Sequence, residues 1–174
     1  ELIHPVEKGT IKSVMNVYGI LLIAFAFVYC AIETGFSNFL TPYYTKVLNY
    51  ENGAGFALSS VGIAMTVVRL FTARMHKHKA KIVGTGCVLA GVFAICMTLF
   101  PGKLPSTVWT VLFSICAAPA WPLMMSVAVD TFPHSSGRMT TLIMLGNGIG
   151  GLLSNPIMGF ISDKLGISRA YLFV

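Results

Sequence analysis

The sequence carries very little charge. Lys and Arg account for 12 of the 174 residues and Asp and Glu for 6, so 10% of the chain is charged. A soluble domain carries about 25% charged residues, and so few charges cannot cover a water-facing surface. We therefore expect an integral membrane protein. The net charge of +6 is scattered over loops without a basic face or stacking motif, which argues against a nucleic-acid partner.

Clusters of chemically reactive residues are also missing. The four cysteines all lie in apolar runs without a CxxC or Cys/His pair, and we interpret them as buried small side chains: Cys30, Cys87, Cys96 and Cys116. The four histidines lie in loops, and no Ser/His/Asp arrangement falls at membrane depth. We predict no enzyme activity, no metal site and no cofactor, although a coupling ion, Na⁺ or H⁺, is compatible with the sequence.

Five long apolar runs predict five membrane helices. About 20 helical residues cross a hydrocarbon core of about 30 Å, and lipid offers no partner for an unpaired backbone amide. The runs extend from about Val14 to Leu40, Gly53 to Ala73, Ile82 to Phe100, Thr107 to Val129 and Thr140 to Ile161, and a sixth begins at Ala170. The sequence therefore predicts an all-α polytopic membrane protein, with residues 1–13 as a cytoplasmic segment and residues 14–174 as one helix bundle.

The loops predict that the amino terminus lies in the cytoplasm, because Lys and Arg concentrate on that side of a membrane protein. On this assignment the inner side holds Lys8, Lys12, Arg69, Arg74, Lys77, Lys79, Lys81 and Arg138. The outer side holds Lys46, Lys103, Lys164 and Arg169. The last two are a mild conflict, since they follow the fifth run on the outer side.

The first apolar run contains the stretch VYCAIETGFSNFL, with an acid in its middle. Four polar residues spaced by four share one helical face: Tyr29, Glu33, Ser37 and Thr41. Intramembrane acids are rare and usually functional. Glu33 therefore either contacts a ligand or serves as a proton site in a wet cavity, or is a buried acid paired with a neighbouring helix. Gly35 and Pro42 predict that the outer half of this helix is weakened.

The position of Arg69 along the second run bears on both interpretations. Glu33 lies about 28 Å above the inner end of the first run, and Arg69 lies about 6 Å above the inner end of the second. A difference of roughly 20 Å predicts that the two do not pair. Asp130 closes the fourth run at the inner face, so we expect an Arg69–Asp130 latch that gates this side. The alternative is that Arg69 extends to the lipid headgroups.

The fourth and fifth runs carry further polar and aromatic candidates. Two prolines flank Trp121 at mid-membrane, where they predict a kink in a cavity wall. The Trp121 ring either stacks on a sugar or packs against lipid or protein. Asn147 and Asn155 either bind solute hydroxyls or bridge helices. Gly146 and Gly150 form a small-xxx-small step that predicts close helix packing.

The order and spacing of these motifs resemble the carboxyl-terminal half of a major facilitator superfamily transporter, helices seven to eleven and the start of twelve. YCAIETGFSNFL is similar to the helix-seven signature of the fucose-permease-like branch, which includes sodium-dependent glucose transporters. The arginine in VVRLF resembles the helix-eight arginine of that branch, and APAWPLMMS and GNGIGGLLSNPIMGFISD resemble its helices ten and eleven. One departure is the superfamily loop motif G-x-x-x-D-R-x-G-R, whose acid is absent, as Ala73 stands about where it would be.

The resemblance implies half of a twelve-helix fold, whose amino-terminal half would be the partner of this bundle and would hold the coupling acids. It implies transport of a small polar solute, a monosaccharide first of all, by alternating access as symport or facilitated passage across the plasma membrane. We expect the solute to contact Glu33, Ser37, Asn38, Trp121, Asn147 and Asn155, with Arg69 and Asp130 as gating residues. The alternative is a truncated or divergent paralogue that acts as a membrane partner or sensor.

Overall fold

The computed structural model describes residues 14–75 and 77–173, and within them every regular element is helical. The long helices are α1 (Val17–Pro42), α2 (Glu51–Thr72), α3 (Lys79–Leu99), α4 (Lys103–Ala117), α5 (Ala120–Thr131) and α6 (Ser136–Leu165). Short elements complete the chain: a π-helical turn (Tyr43–Val47), two 3₁₀ turns (Pro133–Ser135 and Tyr171–Phe173) and α7 (Ile167–Ala170). The predicted cytoplasmic segment, residues 1–13, lies outside the described residues.

Four helical segments are long and apolar enough to cross a membrane: Val17–Val47, Glu51–Thr72, Lys79–Leu99 and Lys103–Thr131. They correspond to the first four predicted runs. Helix α6 has 30 residues and is also long enough, but its centre is less apolar because it holds several glycines together with Asn147 and Asn155. The prediction of an all-helical membrane protein is confirmed.

Helix α1 continues without interruption through Gly35 and Pro42 and then widens into the π-helical turn. The predicted weakening at Gly35 is therefore wrong. Gly35 is a packing residue, since a Cβ atom there would lie 2.8 Å from Ser154 Oγ and 3.2 Å from Met158 Cγ. Pro42 cannot donate a backbone hydrogen bond, and the wider turn that follows is a common way for a helix to absorb such a defect.

Helices α1 and α6 pack closely against each other. A Cβ atom on Gly150 would overlap the carbonyl oxygen of Phe27, and one on Gly146 would lie 3.0 Å from that of Ile23. One turn further along both helices, Ser154 Oγ donates to the Ala31 carbonyl at 2.6 Å. The contacts therefore advance in the same direction along both helices, which shows that α1 and α6 run parallel. The small-xxx-small prediction is confirmed.

The fourth predicted run is a helix broken between α4 and α5, at Ala118 and Pro119. This confirms the predicted kink, which places Trp121 in the first turn of α5. The outer ends of the helices are held by an aromatic cluster, in which Phe36 and Phe113 stack with ring centroids 3.7 Å apart. Its buried members are Phe36, Tyr43, Tyr44, Phe113 and Tyr171. Aromatic side chains thus fill the outer end of the bundle, and the polar side chains of α1 lie nearer the middle of that helix.

Candidate functional site

A cavity of about 340 Å³ lies beside the middle of α1, with further walls from α2, α5 and α6. Its lining is mostly polar: Cys30, Glu33, Thr34, Ser37, Asn38, Arg69, Trp121 and Asn147. The structure therefore brings five of the predicted binding residues together. These are Glu33, Ser37 and Asn38 of α1, Trp121 of α5 and Asn147 of α6. Their role in solute binding stays a prediction.

Asn155, the sixth predicted binding residue, lies at the edge of the cavity rather than in its lining. Its Oδ1 accepts a hydrogen bond of 2.8 Å from Asn38 Nδ2. This amide pair joins α6 to α1 above the glycine contacts. Both side chains are exposed, so they combine a helix bridge with polar groups open to a ligand.

Glu33 and Arg69 form an ion pair, with Arg69 Nη2 at 2.6 Å from Glu33 Oε1. The prediction that they do not pair is wrong. The side chain of Arg69 is 34% exposed and that of Glu33 is 23% exposed, so the pair lies at the boundary between the packed helices and the cavity. Glu33 has features of both interpretations. It is paired with a residue of a neighbouring helix, and it also lines a polar cavity.

The prediction failed because depth was counted from the inner ends of two helices of unequal length. The first span covers Val17–Val47 and the second covers only Glu51–Thr72. Counted from the short outer connection that the two spans share, Glu33 lies about 21 Å down and Arg69 about 27 Å down at 1.5 Å per residue. The remaining difference of about 6 Å is within reach of an arginine side chain.

Arg69 makes a second contact, since Nη2 also donates to Tyr29 Oη at 3.3 Å. Its Nε is buried and has no hydrogen-bond partner among residues 14–75 and 77–173. All side-chain hydrogen bonds from Arg69 to the described protein groups come from Nη2. Arg69 is therefore a residue of the cavity wall, and its Nη1 donors are free to meet a ligand.

Asp130 pairs with Lys79 rather than with Arg69, at 2.5 Å between Oδ2 and Nζ. The predicted Arg69–Asp130 latch is wrong. Lys79 begins α3 next to the last turn of α5, and its ammonium also donates to Ser126 at 2.8 Å. Arg69 pairs with Glu33 instead, and the Asp130 carboxylate binds the Lys79 ammonium at the end of the helices. The pair joins two helices of one bundle, and the Asp130 side chain is 63% exposed.

The cavity wall has no net charge, because its one acid and its one base neutralise each other. The other polar groups are neutral amides and hydroxyls, which both donate and accept hydrogen bonds. Trp121 adds an apolar ring face. Within the described part of the chain, no group of three or more His, Cys, Asp or Glu residues is placed to hold a metal ion. The arrangement is suited to binding a polar molecule through several hydrogen bonds.

Two cavity residues, Cys30 and Thr34, were not among the predicted site residues. Their side chains lie 3.6 Å apart, Sγ to Oγ1, one turn apart on α1. The signal was available in the sequence, because Cys30, Thr34 and Asn38 are spaced by four and form a second line beside the one through Glu33. The interpretation of Cys30 as a buried small side chain obscured this line, whereas in the structure Cys30 is half-buried and lines the cavity.

A larger groove of about 660 Å³ lies between α1, α3 and α5 and is lined almost wholly by apolar side chains. Its lining includes Leu21, Phe25, Val83 and Met124. A binding site for a polar solute needs a few convergent hydrogen-bonding groups. The smaller polar cavity is therefore the candidate site, although the groove has about twice its volume.

Long apolar helices around a polar cavity with paired charges are features of helical membrane transport proteins. The family model described as Major Facilitator Superfamily matches residues 21–174, and the chain belongs to this superfamily. Its function is membrane transport of a solute, and members of the superfamily are in general not enzymes. No curated protein and no solved structure matches the chain.

Proposed function

We propose that the polar cavity binds an uncharged, polyhydroxylated solute, a monosaccharide, and that the protein moves it across the membrane by alternating access. The observation that carries the proposal is a cavity in which a tryptophan ring lies beside amides, hydroxyls and a mutually neutralised ion pair. The resemblance to the fucose-permease-like branch supports the same solute class. A volume of about 340 Å³ falls in the range of small-molecule sites, about 300–1,000 Å³.

The charge balance favours a neutral solute. An anion would compete with Glu33 for Arg69 and leave the Glu33 carboxylate without its partner, and a cation would do the reverse. Either change leaves an uncompensated charge at membrane depth, which is costly. A hydroxyl group can instead accept from Arg69 Nη1 or donate to Glu33 while the ion pair stays intact.

Each wall of the cavity has a role in this proposal. Trp121 stacks on the apolar face of the sugar ring. Ser37, Asn38 and Asn147 exchange hydrogen bonds with its hydroxyls, and Asn155 holds Asn38 in place. Alternating access requires a second helical half that faces the cavity, and the proposal places that half elsewhere in the same protein. We further propose that transport takes place in the plasma membrane, either as symport with Na⁺ or H⁺ or as facilitated passage.

The test is uptake of labelled glucose and fucose by the full-length protein in proteoliposomes, under separate sodium and proton gradients. We expect Trp121→Ala to raise the KM for sugar about tenfold, the factor of a ring-stacking contact of ordinary strength. Glu33→Gln should lower uptake strongly, since it leaves Arg69 unpaired. Trp109→Ala is the matched control, because this tryptophan stacks on Phe93 and does not line the cavity.

Two results would contradict the proposal. Wild-type uptake in both Trp121→Ala and Glu33→Gln would show that the cavity is not the solute site. Equal losses in Trp121→Ala and Trp109→Ala would show a general effect of removing an indole ring. Sugar binding without uptake under any gradient would favour the alternative of a membrane sensor.

A further inference from the structure

The hydroxyl of Tyr29 lies where the cavity ion pair meets the break between α4 and α5. Tyr29 is only 6% exposed. Its Oη accepts from Arg69 Nη2 at 3.3 Å and donates to the carbonyl oxygen of Ala117 at 3.2 Å. Ala117 is the last residue of α4. One phenol therefore connects the Glu33–Arg69 pair, on α1 and α2, to the end of a third helix.

The break itself is weakly held by backbone hydrogen bonds. Pro119 and Pro122 lack an N–H group, so the carbonyls four residues before each of them lose their helical donors. Trp121 lies between these prolines, in the first turn of α5, and its ring lines the cavity. A small change of angle at the break would move this ring relative to the ion pair.

We propose that Tyr29 is a positioning residue that couples the Glu33–Arg69 ion pair to the break between α4 and α5. Through Ala117 it controls how the angle between α4 and α5 changes when Trp121 moves relative to the ion pair. When a solute engages the ion pair, Arg69 shifts its contacts, and the phenol transmits that shift to the break. The solute-dependent part rests on the proposed transport function, whereas the link between Tyr29 and the break does not.

The phenol hydroxyl can be separated from the packing of the ring. The ring of Tyr29 stacks on Phe25 with centroids 6.1 Å apart, and Tyr29→Phe keeps this contact. Tyr44 provides a matched control, because it is buried in the same membrane span and its hydroxyl also bonds to α4, at Thr107 Oγ1, 3.0 Å away. Thr107 is near the start of α4, far from the break.

The first test is amide hydrogen exchange of the full-length protein in lipid nanodiscs, without any solute. We expect Tyr29→Phe to speed exchange at the amides of residues 117, 118, 120, 121 and 123 about three- to tenfold, the factor of one hydrogen bond of ordinary strength. Tyr44→Phe should leave these amides at the wild-type rate. Unchanged exchange in Tyr29→Phe, or equal acceleration in both variants, would overturn the proposal.

The second test separates rate from affinity in sugar uptake. We expect Tyr29→Phe to lower the maximal rate about tenfold with a KM within about twofold of wild type, because the contact acts on the conformational step. A raised KM with an unchanged maximal rate would make Tyr29 a solute-binding residue and overturn the coupling. If the wild-type protein takes up no sugar, the proposed function fails, and the exchange experiment still decides the role of Tyr29.

Discussion

At the scale of single residues, the Glu33–Arg69 pair is the feature that most constrains function. It is partly exposed, so water screens the attraction and its net contribution to stability is modest. The larger energetic effect appears when one partner is removed, because the other charge is then left at membrane depth. Tyr29 and the cavity residues hold this pair in one geometry, which makes it usable for binding.

We expect a thermodynamic cycle on Glu33 and Arg69 to be strongly non-additive. Glu33→Gln and Arg69→Gln should each lower the melting temperature by about 2–4 °C, since each leaves an unpaired charge. The double variant should melt no lower than the worse single variant, because it carries neither charge. The measurement is thermal unfolding in detergent, followed by tryptophan fluorescence.

The Lys79–Asp130 pair is the control for that cycle. The Asp130 side chain is 63% exposed, whereas the Lys79 side chain is 12% exposed and also donates to Ser126. A pair with a solvated partner contributes little, so we expect the effect of Asp130→Asn to be small and the effects of Lys79→Gln and Asp130→Asn to add. If the losses from Glu33→Gln and Arg69→Gln also add, the two cavity charges do not stabilise each other.

At the scale of helices, the contact between α1 and α6 organises the cavity. Its glycines bring the two backbones together, and Asn38 and Asn155 join the helices above that contact. Because α1 carries most of the cavity lining, the position of α6 against it sets the distance from Asn147 to the ion pair. The contact between α1 and α6 is therefore part of the candidate site as well as of the packed core.

We expect Gly150→Ala to lower the melting temperature by about 5 °C, since the added methyl group would overlap the Phe27 carbonyl and force the helices apart. Gly148→Ala is the matched control on the same helix, because a Cβ atom at Gly148 meets no other atom within 4 Å. Alanine there should be neutral or slightly stabilising through its helix propensity. Equal effects of the two substitutions would contradict the close packing of α1 and α6.

At the scale of the whole molecule, the helix directions group the loops by side. Helices α1 and α6 run parallel, and three further spans lie between them along the chain. The α2–α3 loop therefore lies on the side where α1 begins, and the α3–α4 turn lies on the opposite side. Arg74, Lys77, Lys79 and Lys81 cluster at the first of these, and the excess of positive charge predicts that this side is cytoplasmic.

This topology predicts the sidedness of two single cysteines placed in a background in which the native cysteines are replaced by serine. Lys103→Cys should react with a membrane-impermeant maleimide in intact cells, because it is the first residue of α4, directly after the α3–α4 turn. Lys77→Cys should react only after the membrane is permeabilised. Labelling of Lys77→Cys in intact cells would reverse the orientation.

Much of the fold could be predicted from the sequence because lipid imposes strong local rules. Scarce charge and long apolar runs require helices at defined places, two prolines around Trp121 require a kink, and Gly146 and Gly150 allow close packing. The spacing of Glu33 and Ser37 on one helical face was likewise readable, since 3.6 residues per turn is a local property of the backbone.

The ion-pair partners on neighbouring helices could not be predicted in the same way. The partner of Glu33 depends on how far α1 extends past Pro42 and on which ends of two unequal helices are level, and neither quantity is local. The same holds for Asp130, whose partner Lys79 is far away in the chain. The sequence by itself determined which residues are polar, how they are spaced and that they lie within membrane helices. Only the tertiary structure decided that Arg69 meets Glu33 in the cavity wall and Tyr29 behind it, because helix length and packing, rather than composition, set the depth at which side chains meet.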